Sequence, residues 1–185
     1  MNASASLAVG VESVTSGAPG QVPEHGQFDA RKFRDVVGNF ASGIVIVTSV
    51  HDGEPAGLTC QSFYSVSLEP PLVSFSVSTS SRTYPTIRES GQFCVNLLAA
   101  SQFDISTQFA MSGTDKWAGI TWRPTESGNP IISGAIGWID CSIDSEYVAG
   151  DHVIVIGRVR GISLENFDED PLLYFRGQYR HLRGN

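Results

Sequence analysis

Apolar residues recur along this chain at two different periods, and the changes of period mark its elements. Phe33, Val36, Val37 and Phe40 follow the helical period within Phe28 to Phe40, with Asp29 placed as an N-cap and Gly43 beyond the end. From Ile44 to Val50 the pattern becomes a β-branched run, and His51-Asp52-Gly53 supplies a turn, so a hairpin is predicted. Its return strand is rich in hydroxyls from Gly57 to Ser67 and reads as one extended segment ending at Glu69-Pro70-Pro71. Leu72 to Ser78 and Phe93 to Leu98 predict two further strands. Trp138 to Ser145 alternates Ile139, Cys141 and Ile143 with Asp140, Ser142 and Asp144, which predicts one buried face and solvated positions for Asp140 and Asp144. Val153 to Gly161 reads as a long strand and Leu172 to Phe175 as a short final one.

Helices are few and peripheral: a turn or two from Thr83 to Ser90, and Ser101 to Ala110, where Ser101 and Asp104 have capping-box spacing. Strands that follow one another without crossover helices indicate a mainly β, closed antiparallel barrel rather than a parallel sheet. Met111 to Gly134 carries Trp117, Trp122 and two prolines, too apolar for a free linker, and is expected to pack as a lid or subunit contact.

Composition narrows the class. A chain of 185 residues supports one domain with a true core. Residues 1–27 read as a flexible N-terminal tail and 28–185 as the domain. The net charge of -7 gives no basic footprint for nucleic acid or for an anionic membrane surface. No stretch approaches the roughly 18 apolar residues that span a bilayer, and the first residues lack a signal-peptide pattern. Cys60, Cys94 and Cys141 are widely spaced and odd in number, which argues against a disulfide framework or a zinc site and for a reducing, cytoplasmic location.

Neither GxGxxG after a strand nor a phosphate-gripping P-loop occurs, so a nucleotide would have to be held in some other way. The hydroxyl-rich segments offer one: Thr59, Gln61, Ser62, Ser65 and Ser67, then Ser76, Ser78, Thr79, Ser80, Ser81 and Thr83, with Arg82 adding a charge. The same residues would also suit the solvent-facing side of an antiparallel strand. Cys60 fits either a ligand wall or a core position. Tyr174, Arg176 and Tyr179 could stack on a dinucleotide, or close the barrel or contact a second subunit.

The order and spacing of Ser42-Gly43, Ser62-Phe63-Tyr64-Ser65-Val66-Ser67-Leu68-Glu69-Pro70-Pro71-Leu72-Val73-Ser74-Phe75, Ser81-Arg82-Thr83, Phe93-Cys94-Val95-Asn96, Asp115-Lys116-Trp117-Ala118-Gly119 and Gly150-Asp151-His152 resemble the short-chain flavin reductases that supply reduced flavin to two-component monooxygenases. The resemblance covers Phe33 to Tyr179. It implies a Greek-key split β-barrel homodimer that reduces FMN or FAD with NADH or NADPH and passes the product to a separate monooxygenase. It also implies that Thr59, Cys60, Gln61 and Ser62 line the isoalloxazine, with Cys60 where such enzymes often carry Ala or Thr. Ser65, Val77, Ser78, Ser81, Arg82 and Thr83 would approach the ribityl chain and phosphate. Ser42, Asn96 and Tyr179 would complete the cofactor-binding set. His152 would sit over the flavin and place the nicotinamide, with Asp151 fixing its tautomer. Hydride transfer between two cofactors needs distance and stacking rather than a strong acid or base, which fits a chain without a catalytic triad. Two alternatives stay open here: a non-catalytic flavin- or haem-binding split barrel, and a flavin-dependent oxidase of the pyridoxamine-phosphate-oxidase type, the latter disfavoured by sparse Lys and Arg.

Overall fold

A computed structural model describes residues 29–182; the expected N-terminal tail lies outside them. In chain order the elements are α1 (Ala30–Val37), β1 (Ser42–Gly43), β2 (Val45–His51), β3 (Glu54–Cys60), β4 (Tyr64–Leu68), β5 (Pro71–Ser78), α2 (Tyr84–Ser90) and β6 (Gln92–Leu97). A single helical turn (Ala100–Gln102) then leads into α3 (Phe103–Ala110), followed by β7 (Trp122–Pro124), β8 (Pro130–Ile132), β9 (Gly137–Ala149), β10 (His152–Leu164), β11 (Leu173–Phe175) and β12 (Gln178–Arg180).

Seven strands form the main antiparallel sheet in the order β3-β2-β6-β9-β10-β5-β4. The fold is the expected mainly β, split-barrel class, but the sheet is not closed: β3 and β4 are its two edges. The hydroxyl-rich segment is therefore not one strand. β3 ends at Cys60, the chain crosses the split through Gln61, Ser62 and Phe63, and β4 begins at Tyr64 on the opposite edge. The side chain of Ser62 bridges the gap, its hydroxyl donating to Ser76 O at 2.9 Å and accepting from Ser76 N at 2.8 Å.

Why β2 reads as a continuous β-branched run follows from burial on both sides. Val45 and Val47 face the barrel interior with Phe75, Phe93, Val95 and Val155. Ile44 and Ile46 face a second cluster with Leu98, Phe109, Ile132 and Leu172. In the interior Phe75 meets Phe93 edge to face at 5.1 Å between ring centres, and the predicted β2–β3 turn is made by Asp52 and Gly53, both with positive φ.

The sequence expectations shift in four further places. Asp29 caps α1, its carboxylate accepting from Arg31 N at 2.8 Å, but the helix stops at Val37 and its apolar positions Phe33 and Val36 are 60% and 65% exposed in the single chain. In the turn that leads into α3 the Oε1 of Gln102 accepts from Ala99 N at 3.0 Å, so the capping hydrogen bond lies at Ala99, ahead of that turn, rather than at Ser101. Asp140 is not solvated: it is 3% exposed and accepts from Asn129 Nδ2 at 2.8 Å and Thr125 Oγ1 at 3.2 Å, because the ladder slips between Val159 and Gly161 opposite it and the turn joining β7 to β8 covers it. Asp144 does lie at the surface, paired with Arg158 at 2.6 Å. The apolar loop after α3 contains the β7–β8 hairpin, and a second small sheet, β1-β11-β12, adds β12 beyond the strand expected to be last.

Candidate ligand-binding site

Where the barrel splits, a cavity of about 610 Å³ opens between the end of β3, the 61–62 crossing, the end of β5, the loop into α2, the end of α3 and the start of β10. That volume is in the range of pockets that enclose a drug-sized or cofactor-sized ligand. Ten of the expected residues line it: Thr59, Cys60, Gln61, Ser62, Val77, Ser78, Ser81, Arg82, Thr83 and His152.

Many of the hydroxyls serve the protein first. Thr59 Oγ1 donates to Ser106 O at 2.6 Å, fastening β3 to α3. Ser62 holds both backbone groups of Ser76. Cys60 is 6% exposed, with its sulfur 3.1 Å from Ser62 Oγ, and burial pushes its thiol pKa up, so it stays protonated. Ser81 Oγ accepts from Tyr84 N at 3.2 Å. Gln61 and Arg82 are exposed, and Arg82 forms no ion pair among the described residues.

His152 opens β10 opposite Ser78 of β5. Its Nδ1 lies 2.8 Å from Asp151 Oδ1, and this hydrogen bond and the imidazole's charge hold the Asp151 carboxyl below its ordinary range. In the neutral ring, an Nδ1–H donated to that carboxylate leaves Nε2 as the acceptor; in the charged ring both nitrogens donate. Asp151 itself is not among the cavity-lining residues and its side chain is 92% exposed.

Four other expected residues lie elsewhere. Asn96 is fully buried between sheet and loop: its amide NH₂ serves Ile46 O, Thr48 Oγ1 and Pro130 O, and its Oδ1 accepts from Ile132 N at 2.7 Å, leaving nothing for a ligand. Ser42 pairs with Tyr174 in the small sheet, and Ser65 pairs with Val73 on the exposed edge strand. Tyr179 backs the cavity from behind α3, its hydroxyl 2.9 Å from Ser106 Oγ and its ring edge-on to Phe103 at 4.7 Å.

The structure adds Lys116 to the cavity. Its amine donates to Gly57 O at 3.3 Å and Thr83 Oγ1 at 3.4 Å, has no carboxylate partner among the described residues, and burial draws its pKa down. Gln108 of α3 fixes that loop by donating to Lys116 O at 3.0 Å and Ala118 O at 2.9 Å. Phe109, Ser112 and Gly113 complete this wall. The Asp115-Lys116-Trp117-Ala118-Gly119 motif carried the available signal; its charge is assigned only by folding the loop back over β3.

Comparison with known proteins gives a consistent set of similarities. Residues 37–183 match the model of the flavin reductase like domain. The reductase subunit HsaB of a flavin-dependent monooxygenase from Mycobacterium tuberculosis is 47% identical over 154 residues, 83% of this chain and 82% of that protein. The crystal structure of a nitrilotriacetate monooxygenase component B homologue from Mycobacterium thermoresistibile superposes with a TM-score of 0.80 at 44% identity, covering 83% of this chain and 86% of the other. An NADH:FAD oxidoreductase of Streptomyces globisporus, in complex with NAD and FAD fragments, does so with 0.79 at 33% identity, covering 84% and 93%.

Proposed function

The chain belongs to the flavin reductase like domain family, and we infer from its cavity how it serves that family's chemistry. It is an NAD(P)H:flavin oxidoreductase that supplies reduced flavin to a separate monooxygenase. The observation that carries the reading is the convergence on one 610 Å³ cavity of the Thr59–Ser62 crossing, the Ser81–Thr83 loop, Lys116 and His152. A ligand with a flat polar ring and a phosphate fits that set: small side chains along the split for the ring, and at the far end, for the anion, hydroxyls and two cations that have no carboxylate partner among the described residues.

In this reading Cys60, Gln61 and Ser62 line the ring, while Ser78, Ser81, Arg82 and Thr83, joined by Lys116, hold the ribityl and phosphate portions. His152, oriented by Asp151, places the nicotinamide over the ring. A bound flavin supplies the hydride acceptor; the protein's part is to set distance and stacking and to keep water out. Among the described residues that line it, the cavity has a protonated thiol and no catalytic triad, consistent with chemistry carried by the two cofactors.

We place the active form as a homodimer in the cytoplasm. Exposed Tyr64, Val66 and Leu68 on edge strand β4 support a subunit contact, since an apolar edge is an association surface. Free cysteines at positions 60, 94 and 141 support a reducing compartment.

The test is to follow loss of NADH or NADPH absorbance with the full chain while FMN and FAD are added in turn. Flavin-dependent oxidation is expected, and the better pair names both cofactors. No turnover with any pair, despite flavin binding, would overturn the reductase reading and favour the non-catalytic alternative.

A further inference from the structure

Outside the cavity, one carboxylate joins two of the segments that frame it. Tyr84 opens α2 directly after Ser81-Arg82-Thr83; it is 5% exposed, with its ring edge-on to Phe75 at 6.3 Å. Its hydroxyl donates to Glu146 on β9. Arg88, one turn further along α2, donates Nε to both carboxylate oxygens of Glu146, at 2.9 and 3.0 Å, and its guanidinium lies 5.6 Å from the centre of the Tyr84 ring. Glu146 thus takes three hydrogen bonds from two side chains of one helix, one of them anchored in the core. A lone surface ion pair contributes little; a convergent, charge-assisted set on a buried tyrosine fixes geometry.

From Glu146 the chain runs through Tyr147, Val148 and Ala149, turns at Gly150 with φ 64°, and returns at Asp151 and His152. Tyr147 and Val148 are 60% and 77% exposed, so the hairpin end has little packing of its own in the single chain. Its other ties are the β10–β5 ladder, where His152 pairs with Ser78, and the carbonyl of Asp151, which accepts from Thr79 N at 3.0 Å and Thr79 Oγ1 at 3.1 Å. The hairpin end is therefore held from both sides of the Ser80–Thr83 loop, by Thr79 before it and by Tyr84 and Arg88 after it.

We propose that Glu146 is a positioning residue: through Tyr84 and Arg88 it locks the hairpin that carries His152 to α2, and so sets the span of the cavity mouth between His152 and the Arg82–Thr83 loop. This rests on the cavity being the flavin and nicotinamide site. Glu146 acts through its neighbours, since it does not line the cavity.

The first test is amide hydrogen exchange on the flavin-free, full-length chain. Glu146→Ala is expected to speed exchange in residues 147–152 and 79–83 roughly tenfold, the equivalent of one charge-assisted hydrogen bond, with β2 and β6 unchanged. The second is a kinetic cycle with His152→Ala. Glu146→Ala alone should lower kcat/KM for the reduced nicotinamide roughly tenfold, mostly through KM, and add less than about twofold in the His152→Ala background. Glu146→Gln, which keeps the acceptor for Tyr84 but loses the charge for Arg88, should fall between, and it stands in with Tyr84→Phe if the alanine variant does not fold. Unchanged exchange in both segments, or full additivity with His152→Ala, would overturn the proposal. If His152→Ala leaves kcat/KM intact, the reading of the cavity fails instead, and the exchange data alone decide the brace.

Discussion

Replacing Gly57 by Ala tests whether the back wall of the cavity is as close-packed as its geometry states. A Cβ on Gly57 would stand 2.4 Å from Phe109 Cε1 and 2.7 Å from Cδ1, with Trp117 Cζ2 at 3.4 Å behind. Carbon atoms prefer about 3.5–4.0 Å, so the overlap with the ring is about 1 Å. The ring is held from behind: Phe109 is fully buried and packs edge-on against Trp117 at 4.9 Å, so it can yield only towards the cavity it borders. The expected cost is about 2–3 kcal/mol, the upper part of the range for overpacking a core. In a chain of 185 residues that is a fall of roughly 4–12 °C in the thermal midpoint. The assay is thermal and urea unfolding of the flavin-free protein, repeated in a Phe109→Leu background, where the clash is absent and the added cost of Gly57→Ala should drop below about 0.5 kcal/mol. An equal cost in both backgrounds would refute the reasoning, because the obstacle would then not be Phe109. Since Gly57 O also accepts from Lys116, the flavin KM should rise in the single variant and recover in part in the double.

Lys116→Met should weaken binding of FMN about tenfold more than that of riboflavin, which has the ring but no phosphate; fluorescence titration reads both, and equal losses would remove Lys116 from the anion subsite. The same variant should not lower the stability of the flavin-free protein near neutral pH. Burial draws the lysine's pKa down, so its charged form opposes folding there, and that opposition fades only as pH rises through the depressed value. Cys60, Cys94 and Cys141 act with the opposite sign. Burial raises each thiol above its ordinary 9.0, Cys141 to about 12, so their contribution is complete below about pH 9 and lost as pH climbs from there through the folded values. The unfolding midpoint should fall between about pH 9 and 11, and a Cys94→Ala/Cys141→Ala variant should show a flatter slope whatever its own midpoint. Purified protein should lose flavin on extensive dialysis, because few of its cavity hydroxyls are free to hold one; stoichiometric retention would contradict this.

Strand identity was legible because period and turn chemistry are local: β2 and β3 with Asp52-Gly53 between them, and β5, β6, β9 and β10, need only the neighbouring residues to be recognised. Sheet order was not. Nothing between Thr59 and Ser67 states that the chain leaves one edge of the sheet at Cys60 and rejoins it at the other edge at Tyr64. Burial of polar side chains was equally hidden. Asp140 sits in an alternating pattern that marks it as wet, yet the β7–β8 turn supplies Thr125 and Asn129 to bury it. Asn96 belongs to a motif carried by family resemblance, and it works as the knot tying β2 to the β7–β8 hairpin rather than as a ligand contact. Lys116 was the converse case: its motif was visible, but its place in the cavity depends on Gln108 clamping a loop that comes back over β3.

The hydroxyl-rich crossing has two duties, and their balance explains what kind of site this is. An open barrel must satisfy backbone groups along its split, and Ser62 does so for Ser76 while Thr59 does so for Ser106. Each hydroxyl used in this way is lost to a ligand, so the ring end of the cavity offers backbone, Gln61 and the wall of a protonated Cys60 rather than a dense set of free donors. The firm charges are Lys116 and Arg82 at the other end. With the flavin placed as proposed, such a site grips the phosphate and leaves the ring lightly held. That division suits the proposed role, in which the flavin arrives oxidised, meets a nicotinamide placed by His152, and leaves reduced for another enzyme. The same economy places the rigid parts elsewhere: α2, Glu146 and Thr79 hold the rim, while the ligand-facing crossing stays free of ionic contacts among the described residues.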